Sequence, residues 1–240
     1  MKPIIVVPAR MASTRLPGKP LADINGKPMI VRVLEKCLEA DIGPVIVATP
    51  DEEIVRAVSG AFNVVQTGRN LVSGSDAVWD AIQKFDPDEK HDVVVNVQGD
   101  QVGITPEQVR ASLIPLENQF MNIGTLVTEE KDPAAISDEN VVKAFVELRT
   151  TAANQGRAWY FFRGETATSP VWRHIGVYAY RRWALSAFSK LPPTTSEICH
   201  RLEQMRAVES GMHIGCAVVD SAPLEVNTQA DLDHVRRLLH

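Results

Sequence analysis

The chain has 240 residues, is 45% hydrophobic and 23% charged, and carries a formal net charge of −5. This composition is that of a globular protein long enough to bury a core, and its acidic balance argues against general electrostatic binding of nucleic acid. No apolar stretch of about 18 residues occurs and no signal-peptide pattern is present, so we expect a soluble, cytoplasmic protein that makes no membrane contact. Three widely spaced cysteines without a CxxC pair predict reduced thiols rather than a disulfide or zinc framework.

The first half of the chain alternates apolar runs with helical patterns. The predicted strands are residues 4–7, 45–48, 64–67 and 93–97. The predicted helices are residues 28–40 and 76–85, with two more that begin near Thr49 and Thr105. For the helix near Thr49, we expect Thr49 to be the N-cap and Pro50 the first helical residue. Apolar strands that alternate with helices predict an α/β fold with a mostly parallel sheet and helices on both faces.

The second half contains strand-like runs with fewer helices between them. The predicted strands are residues 141–148, 159–162, 175–181 and 214–219, with a helix over 195–210. Residues 227–231 are expected to cap a terminal helix that ends near residue 239. We therefore predict one domain over residues 1–240. Its core is formed by residues 1–120 and 216–240, and residues 121–215 form an inserted mixed α/β lobe.

A loop rich in cations follows the first predicted strand directly. This cationic loop, residues 8–20, reads PARMASTRLPGKP and contains Arg10, Arg15 and Lys19. Ligands of open α/β sheets bind at the carboxyl ends of the strands, so the loop is a candidate site. It is neither a P-loop nor a GxGxxG loop. Arginine and lysine suit phosphate recognition, and Ser13 adds a neutral donor. The alternative is a solvated surface loop that carries cations without a ligand.

The stretch PARMASTRLPGKPLADINGKPMI, residues 8–30, is similar to the opening signature of the CMP-sugar-acid synthetases, specifically the 3-deoxy-manno-octulosonate (Kdo) cytidylyltransferases. The likeness continues through VIVATPDEEI, SGSD, VNVQGD, YFFR, RHIGVYAYRR, LEQMR and VNTQADLDHVRR. It implies a Rossmann-like fold of the nucleotide-diphospho-sugar transferase type and a homodimer formed through the second lobe. It also implies that the cations of the loop hold the triphosphate of CTP and neutralise the departing pyrophosphate. The nucleotide site implied by the resemblance comprises Pro8, Ala9, Arg10, Ser13, Arg15, Lys19, Ser73, Gly74 and Gln98.

Two further motifs complete the expected nucleotide site. Asp100 ends the predicted strand of VNVQGDQ, and a carboxylate beside a triphosphate is well placed to bind Mg²⁺. The resemblance gives Asp100 that role and puts Gln98 near the nucleotide or the acceptor. SGSD, residues 73–76, can present backbone amides and hydroxyls at a helix start, where polar groups are favoured. The alternative for Asp100 is an aspartate in a turn without a metal. The alternative for SGSD is a helix cap without a ligand.

The second half of the chain supplies the expected acceptor site. By resemblance, its residues are Gln98, Arg163, His174, Tyr178 and Glu203. A cation there would meet the carboxylate of a sugar acid, and Glu203 would lie near sugar hydroxyls. The alternative for His174 is a structural role. The alternative for Glu203 is a place on the solvated face of the 195–210 helix.

Four positions depart from the family pattern. Ala77 stands where an arginine is usual, and Val102 replaces a proline. The segment after Arg163 reads Gly-Glu-Thr-Ala over residues 164–167 instead of the usual pattern. Asn227 replaces the second Mg²⁺ carboxylate, so it can offer a carbonyl oxygen but no negative charge.

The sequence therefore predicts a CTP-dependent cytidylyltransferase that uses Mg²⁺ and releases pyrophosphate, with Arg10, Lys19 and Asp100 as catalytic groups and Asp100 and Asn227 as metal ligands. Kdo or a similar sugar acid is the default acceptor. The charge missing at Asn227 keeps open a small phosphonate acid such as phosphonoformate, which would chelate Mg²⁺ itself and turn over better than Kdo. A catalytically silent CTP-binding paralogue is the third alternative.

Overall fold

The structure is a computed structural model that describes residues 1–71, 73–150, 152–164, 166 and 169–239. The chain forms two compact units, one of Met1–Val109 with Pro223–His240 and one of Arg110–Ala222. Among the helices in the described ranges, none is both long enough and apolar enough to cross a membrane.

The first unit is built on a parallel sheet. Its strands are β1 (Pro3–Pro8), β2 (Asp23–Ile24), β3 (Lys27–Pro28), β4 (Val45–Thr49), β5 (Asn63–Gln66) and β6 (Val93–Asn96). The helices in this part of the chain are α1 (Met29–Glu39), α2 (Glu52–Val58), α3 (Gly74–Phe85) and α4 (Pro106–Ala111). Strands β5, β4, β1 and β6 pair in that order and are all parallel, while β2 and β3 form a separate short ribbon. The predicted α/β fold with a mostly parallel sheet is confirmed.

The burial of β1 explains why its sequence is a continuous apolar run. Ile4, Ile5, Val6 and Val7 are all fully buried, so side chains on both faces of the strand are covered. A strand covered on both faces loses the polar alternation of a half-exposed strand. In the parallel pairing of β1 with β4, Ile5 lies opposite Val45, and this register aligns the carboxyl ends of the two strands.

The second unit is mostly antiparallel. Its elements are β7 (Ile123–Glu130), α5 (Pro133–Ser137), β8 (Lys143–Arg149), β9 (Ala152–Phe162), β10 (Val171–Arg181), α6 (Arg182–Phe188), α7 (Thr195–His200), α8 (Gln204–Glu209) and β11 (Ile214–Val218). The strand order is β10, β7, β11, β9 and β8, in which only the β11–β7 pairing among the described residues is parallel. Strand β7 was not predicted from the sequence.

The predicted helix over residues 195–210 is wrong, because two helices occupy this range. Helix α7 ends where Arg201 adopts a left-handed conformation with φ of 54°. A left-handed backbone conformation costs energy for any residue other than glycine, and the regular helical hydrogen bonding stops at Arg201. Glu203 is consequently the N-cap of α8 and not a residue on the face of a long helix.

The chain returns to the first unit and ends in α9 (Gln229–Leu238). Thr228 is the N-cap of α9, and its hydroxyl accepts a hydrogen bond from the amide of Asp231. Asn227 therefore lies before the cap. The amide of Val226 donates to the carbonyl oxygen of Asp100 at 3.0 Å, which brings this segment beside the end of β6.

Candidate active site

A cavity of about 420 Å³ opens in the first unit, within the size range of small-molecule sites. Its walls come from the segments that directly follow β1, β4, β5 and β6, so it lies at the carboxyl ends of the parallel strands. This is the edge at which ligands of open α/β sheets bind. Every residue expected at the nucleotide site lines this cavity, and so does Asp100: the lining includes Pro8, Ala9, Arg10, Ser13, Arg15, Lys19, Ser73, Gly74, Gln98 and Asp100.

The cavity is strongly cationic. Among the described residues that line it, four are cations and one is a carboxylate: Arg10, Arg15, Lys19, Arg69 and Asp100. Lys19 Nζ donates to Asp100 Oδ2 at 2.7 Å, with both side chains partly buried. The remaining cations leave a surplus of positive charge, which suits a polyanionic ligand such as a triphosphate.

Asn227 lies beside this ion pair, although it does not line the cavity. Its Oδ1 accepts a hydrogen bond from Arg15 Nη2 at 3.0 Å and one from Lys19 Nζ at 3.5 Å. The oxygens of Asp100 and Asn227 thus converge on one ammonium group. Mg²⁺ in nucleotide sites commonly uses one or two protein oxygens together with phosphate oxygens, so this donor set fits the ion. The described chain gathers no cluster of three or more His, Cys, Asp or Glu side chains that could hold a metal.

The conformation of Gly18 brings Lys19 to the cavity. Gly18 has φ of 71°, in the left-handed region that glycine adopts without strain. Its amide donates to the carbonyl oxygen of Met11 at 3.3 Å, and a short 3₁₀ turn over Lys19–Leu21 begins immediately after it. The loop therefore doubles back on itself before its last cation.

Ser73 caps a helix and lines the cavity at the same time. Its Oγ accepts from the amide of Asp76 at 3.2 Å, and Asp76 Oδ2 accepts from the amide of Ser73 at 3.1 Å. This reciprocal capping box starts α3 at Gly74. Gln98 lies close to Gly74 and donates to Asn96 Oδ1 at 3.3 Å.

The sequence reasoning missed the segment after β5, which contributes Thr67, Gly68, Arg69 and Leu71 to the lining. Thr67 is 6% exposed, and its hydroxyl has no hydrogen-bond partner among the described residues. Arg69 is exposed. These residues follow the end of β5, so the rule that pointed to the loop after β1 would have found them here as well.

His174, one of the expected acceptor residues, is a buried and neutral side chain of the second unit. Burial lowers the pKa of His174 from 6.5 to about 3. Its Nε2 lies 3.0 Å from the hydroxyl of Thr125, which is also within reach of the carbonyl oxygens of Val177 at 2.8 Å and Ile175 at 3.2 Å. The single hydroxyl proton goes to a carbonyl oxygen, so Nε2 of His174 carries the proton and donates to Thr125.

A β-bulge brings Tyr178 to the same part of β10 as His174. The register against β7 shifts between Ile175 and Tyr178, where the carbonyl groups bound by Thr125 are found. The rings of His174 and Tyr178 lie 5.4 Å apart. Burial raises the pKa of Tyr178 well above its ordinary value, and Tyr180 and Glu203 raise it further. The structure thus brings together three expected acceptor residues, His174, Tyr178 and Glu203.

Arg163 contacts backbone instead. Its guanidinium donates to the carbonyl oxygens of Glu139 at 2.9 Å, Asn140 at 3.0 Å and His200 at 3.2 Å. In the altered segment that follows, Glu165 and Ala167 lie outside the described residues.

Comparison with known proteins identifies the family. A profile described as Cytidylyltransferase matches residues 4–214, which is most of the chain. The chain belongs to the cytidylyltransferase family. A relative from Rhodospirillum centenum named 3-deoxy-manno-octulosonate cytidylyltransferase is 50% identical over 99% of this chain and 93% of its own length. A relative of the same name from Paramagnetospirillum magneticum is 47% identical over 100% of this chain and 98% of its own length. A solved structure of CMP:2-keto-3-deoxy-manno-octonic acid synthetase complexed with CTP superposes with a TM-score of 0.90 at 33% identity and covers 100% of this chain and 98% of that one.

Proposed function

We propose that this cytidylyltransferase transfers CMP from CTP to Kdo and releases pyrophosphate. The observation that carries the proposal is the likeness, over nearly the full length of both chains, to proteins named for that activity at 47–50% identity. The cationic cavity supports it, because it offers the charge that a nucleoside triphosphate requires at the edge of the sheet where such ligands bind.

The nucleotide half of the reaction uses the cationic loop. Arg10, Arg15 and Lys19 bind the triphosphate and stabilise the charge that develops on pyrophosphate as an acceptor oxygen attacks the α-phosphorus. Positioning and electrostatic stabilisation supply most of the rate in phosphoryl transfer. Lys19 Nζ pairs with Asp100 Oδ2 at 2.7 Å, and in the proposed complex it would also contact phosphate oxygens.

Mg²⁺ is the proposed cofactor, held by Asp100 and by the carbonyl oxygen of Asn227. When bound, it would neutralise charge on the phosphate oxygens. Asp100 is the one carboxylate among the described lining residues, and its carbonyl oxygen is held by the amide of Val226. This hydrogen bond fixes the backbone of Asp100 at the edge of the sheet where the ion and the phosphates would meet.

The proposed acceptor residues are Gln98, Arg163, His174, Tyr178 and Glu203. His174 acts as a neutral hydrogen-bonding group rather than as a cation, because burial holds its pKa at about 3. Arg163 is the cation proposed to meet the sugar carboxylate, and it would exchange one of its carbonyl partners for that group.

The relatives favour Kdo over the phosphonate alternative. The chain is 47–50% identical, over nearly its whole length, to relatives named for Kdo. The expectation that a phosphonoformate-like acid is a better acceptor than Kdo is therefore not supported.

The proposal includes a homodimer in the cytoplasm. Exposed aromatic side chains on β8 and β9 of the second unit, among them Phe145 and Trp159, offer apolar area for a second copy of the chain. Isolated exposed aromatics are common, so sedimentation of the purified protein is the direct test of the dimer. CTP, the proposed donor, is a cytoplasmic metabolite.

The function is tested by measuring pyrophosphate release from CTP and Mg²⁺ with Kdo, with phosphonoformate and with no acceptor. We expect release that depends on Kdo and is much slower with phosphonoformate. Faster release with phosphonoformate would reverse the choice of acceptor. Tight CTP binding with no release in any mixture would identify a silent paralogue.

A further inference from the structure

Asp51 makes a contact that its place at the start of α2 does not require. The predicted N-cap at Thr49 is wrong, since Asp51 is the N-cap and α2 begins at Glu52. An N-cap aspartate ordinarily accepts a hydrogen bond from an amide in the first helical turn. Asp51 makes no such bond, and its Oδ2 accepts from the amide of Met11 at 2.7 Å instead.

The contact reaches the centre of the cationic loop. Within residues 10–15, Met11 is the residue whose backbone amide and carbonyl group are hydrogen-bonded to other described residues. Its amide is held by Asp51, and its carbonyl oxygen accepts from the amide of Gly18 at 3.3 Å. The backbone of Met11 therefore links the cationic loop to Asp51 at the start of α2 and to Gly18 at the turn before Lys19.

The anchor itself is well fixed. The amide of Asp51 donates to the hydroxyl of Thr49 at 3.2 Å, and Thr49 is fully buried at the end of β4. The carbonyl oxygen of Asp51 accepts the first backbone bonds of α2, from Ile54 and Val55. Asp51 does not line the cavity, although its neighbour Pro50 does.

We infer that Asp51 is a positioning residue that fixes the cationic loop in the conformation that binds the triphosphate. It acts through the amide of Met11, next to Arg10 and two residues before Ser13. Holding the loop in advance removes an ordering cost from nucleotide binding. The inference rests on the proposed function, because it requires that the loop bind the triphosphate of CTP.

The chain allows the hydrogen bond and the helix cap to be separated. Asp51→Ser retains a preferred N-cap residue, but its hydroxyl is one atom shorter than the carboxylate and does not reach Met11. Asp51→Asn retains an acceptor oxygen of the same reach. Glu53→Ala removes an exposed acid from the first turn of the same helix without touching the loop.

The test is calorimetric titration of each variant with CTP and with CMP in the presence of Mg²⁺, together with steady-state kinetics. For Asp51→Ser we expect the Kd of CTP to rise about ten-fold. The KM for CTP should rise with it, while the Kd of CMP and kcat at saturating CTP change little. Asp51→Asn and Glu53→Ala should bind CTP as the wild type does.

Lys19→Ala separates failure of this inference from failure of the proposed function. If Lys19→Ala weakens CTP binding and Asp51→Ser does not, the positioning role is refuted and the triphosphate site stands. If neither variant weakens CTP binding, both are refuted. Equal weakening of CTP and CMP by Asp51→Ser, or failure of Asp51→Asn to restore affinity, also overturns the inference.

Discussion

The buried neutral His174 predicts a specific loss of stability in mild acid. Its pKa is about 3 in the folded protein and 6.5 in the unfolded chain. Below pH 6.5 the unfolded chain binds a proton that the folded protein does not, so the free energy of unfolding falls as the pH falls toward 3. One pKa unit corresponds to about 1.36 kcal/mol, so lowering the pH from 7.5 to 5.0 should cost about 2 kcal/mol through this one residue.

The assay is urea unfolding at both pH values for the wild type and for His174→Gln. Glutamine does not titrate, and its amide can still donate to the hydroxyl of Thr125. The wild type should lose about 2 kcal/mol more than the variant between the two pH values. Carboxylates and the other histidines contribute equally to both proteins and cancel in the comparison.

His234→Gln is the matched control, because His234 is exposed on α9. This variant should keep the pH dependence of the wild type. An identical pH dependence in the wild type and His174→Gln would refute the reasoning, since it would mean that His174 takes up its proton in the folded protein as readily as in the unfolded chain.

Three further predictions concern the nucleotide site. Lys19→Ala and Arg15→Ala should each weaken CTP binding about ten-fold or more in calorimetry, because each loses a charged contact to the triphosphate; unchanged affinity in both would contradict the role of the loop. Asp100→Asn should abolish pyrophosphate release while its circular dichroism matches the wild type, and near-normal release would remove Asp100 from the site. Asn227→Asp should lower the Mg²⁺ concentration needed for half-maximal turnover and raise turnover with Kdo, because it restores a negative charge beside Asp100; an unchanged Mg²⁺ titration would exclude Asn227 from the metal site.

The core of the fold could be predicted because its signals are local. Strand β1 is an uninterrupted apolar run that the structure buries completely, and the cationic loop begins where that strand ends. Once the strands are known to be parallel, their carboxyl ends share one edge, and Arg10, Lys19 and Asp100 fall beside the same cavity.

What could not be predicted depends on contacts between distant residues. Thr49, Pro50 and Asp51 form a plausible cap locally, but Asp51 instead binds an amide forty positions earlier in the chain. Residues 227–231 cap α9 as predicted, through Thr228 and Asp231, but the local sequence does not show that Asn227 Oδ1 contacts Arg15 and Lys19. Local propensity carries no information about either partner.

The left-handed Arg201 is a different kind of miss. Its neighbours favour a helix, and neither glycine nor proline marks the break between α7 and α8. The same break makes Glu203 the N-cap of α8, near Tyr178.

The central claim is most directly tested by identifying the products formed from CTP, Kdo and Mg²⁺ by mass spectrometry and ³¹P NMR. The account predicts CMP-Kdo and pyrophosphate in equal amounts, with neither formed when Kdo is left out. Consumption of CTP without CMP-Kdo, or no consumption by a protein that binds CTP, would contradict it.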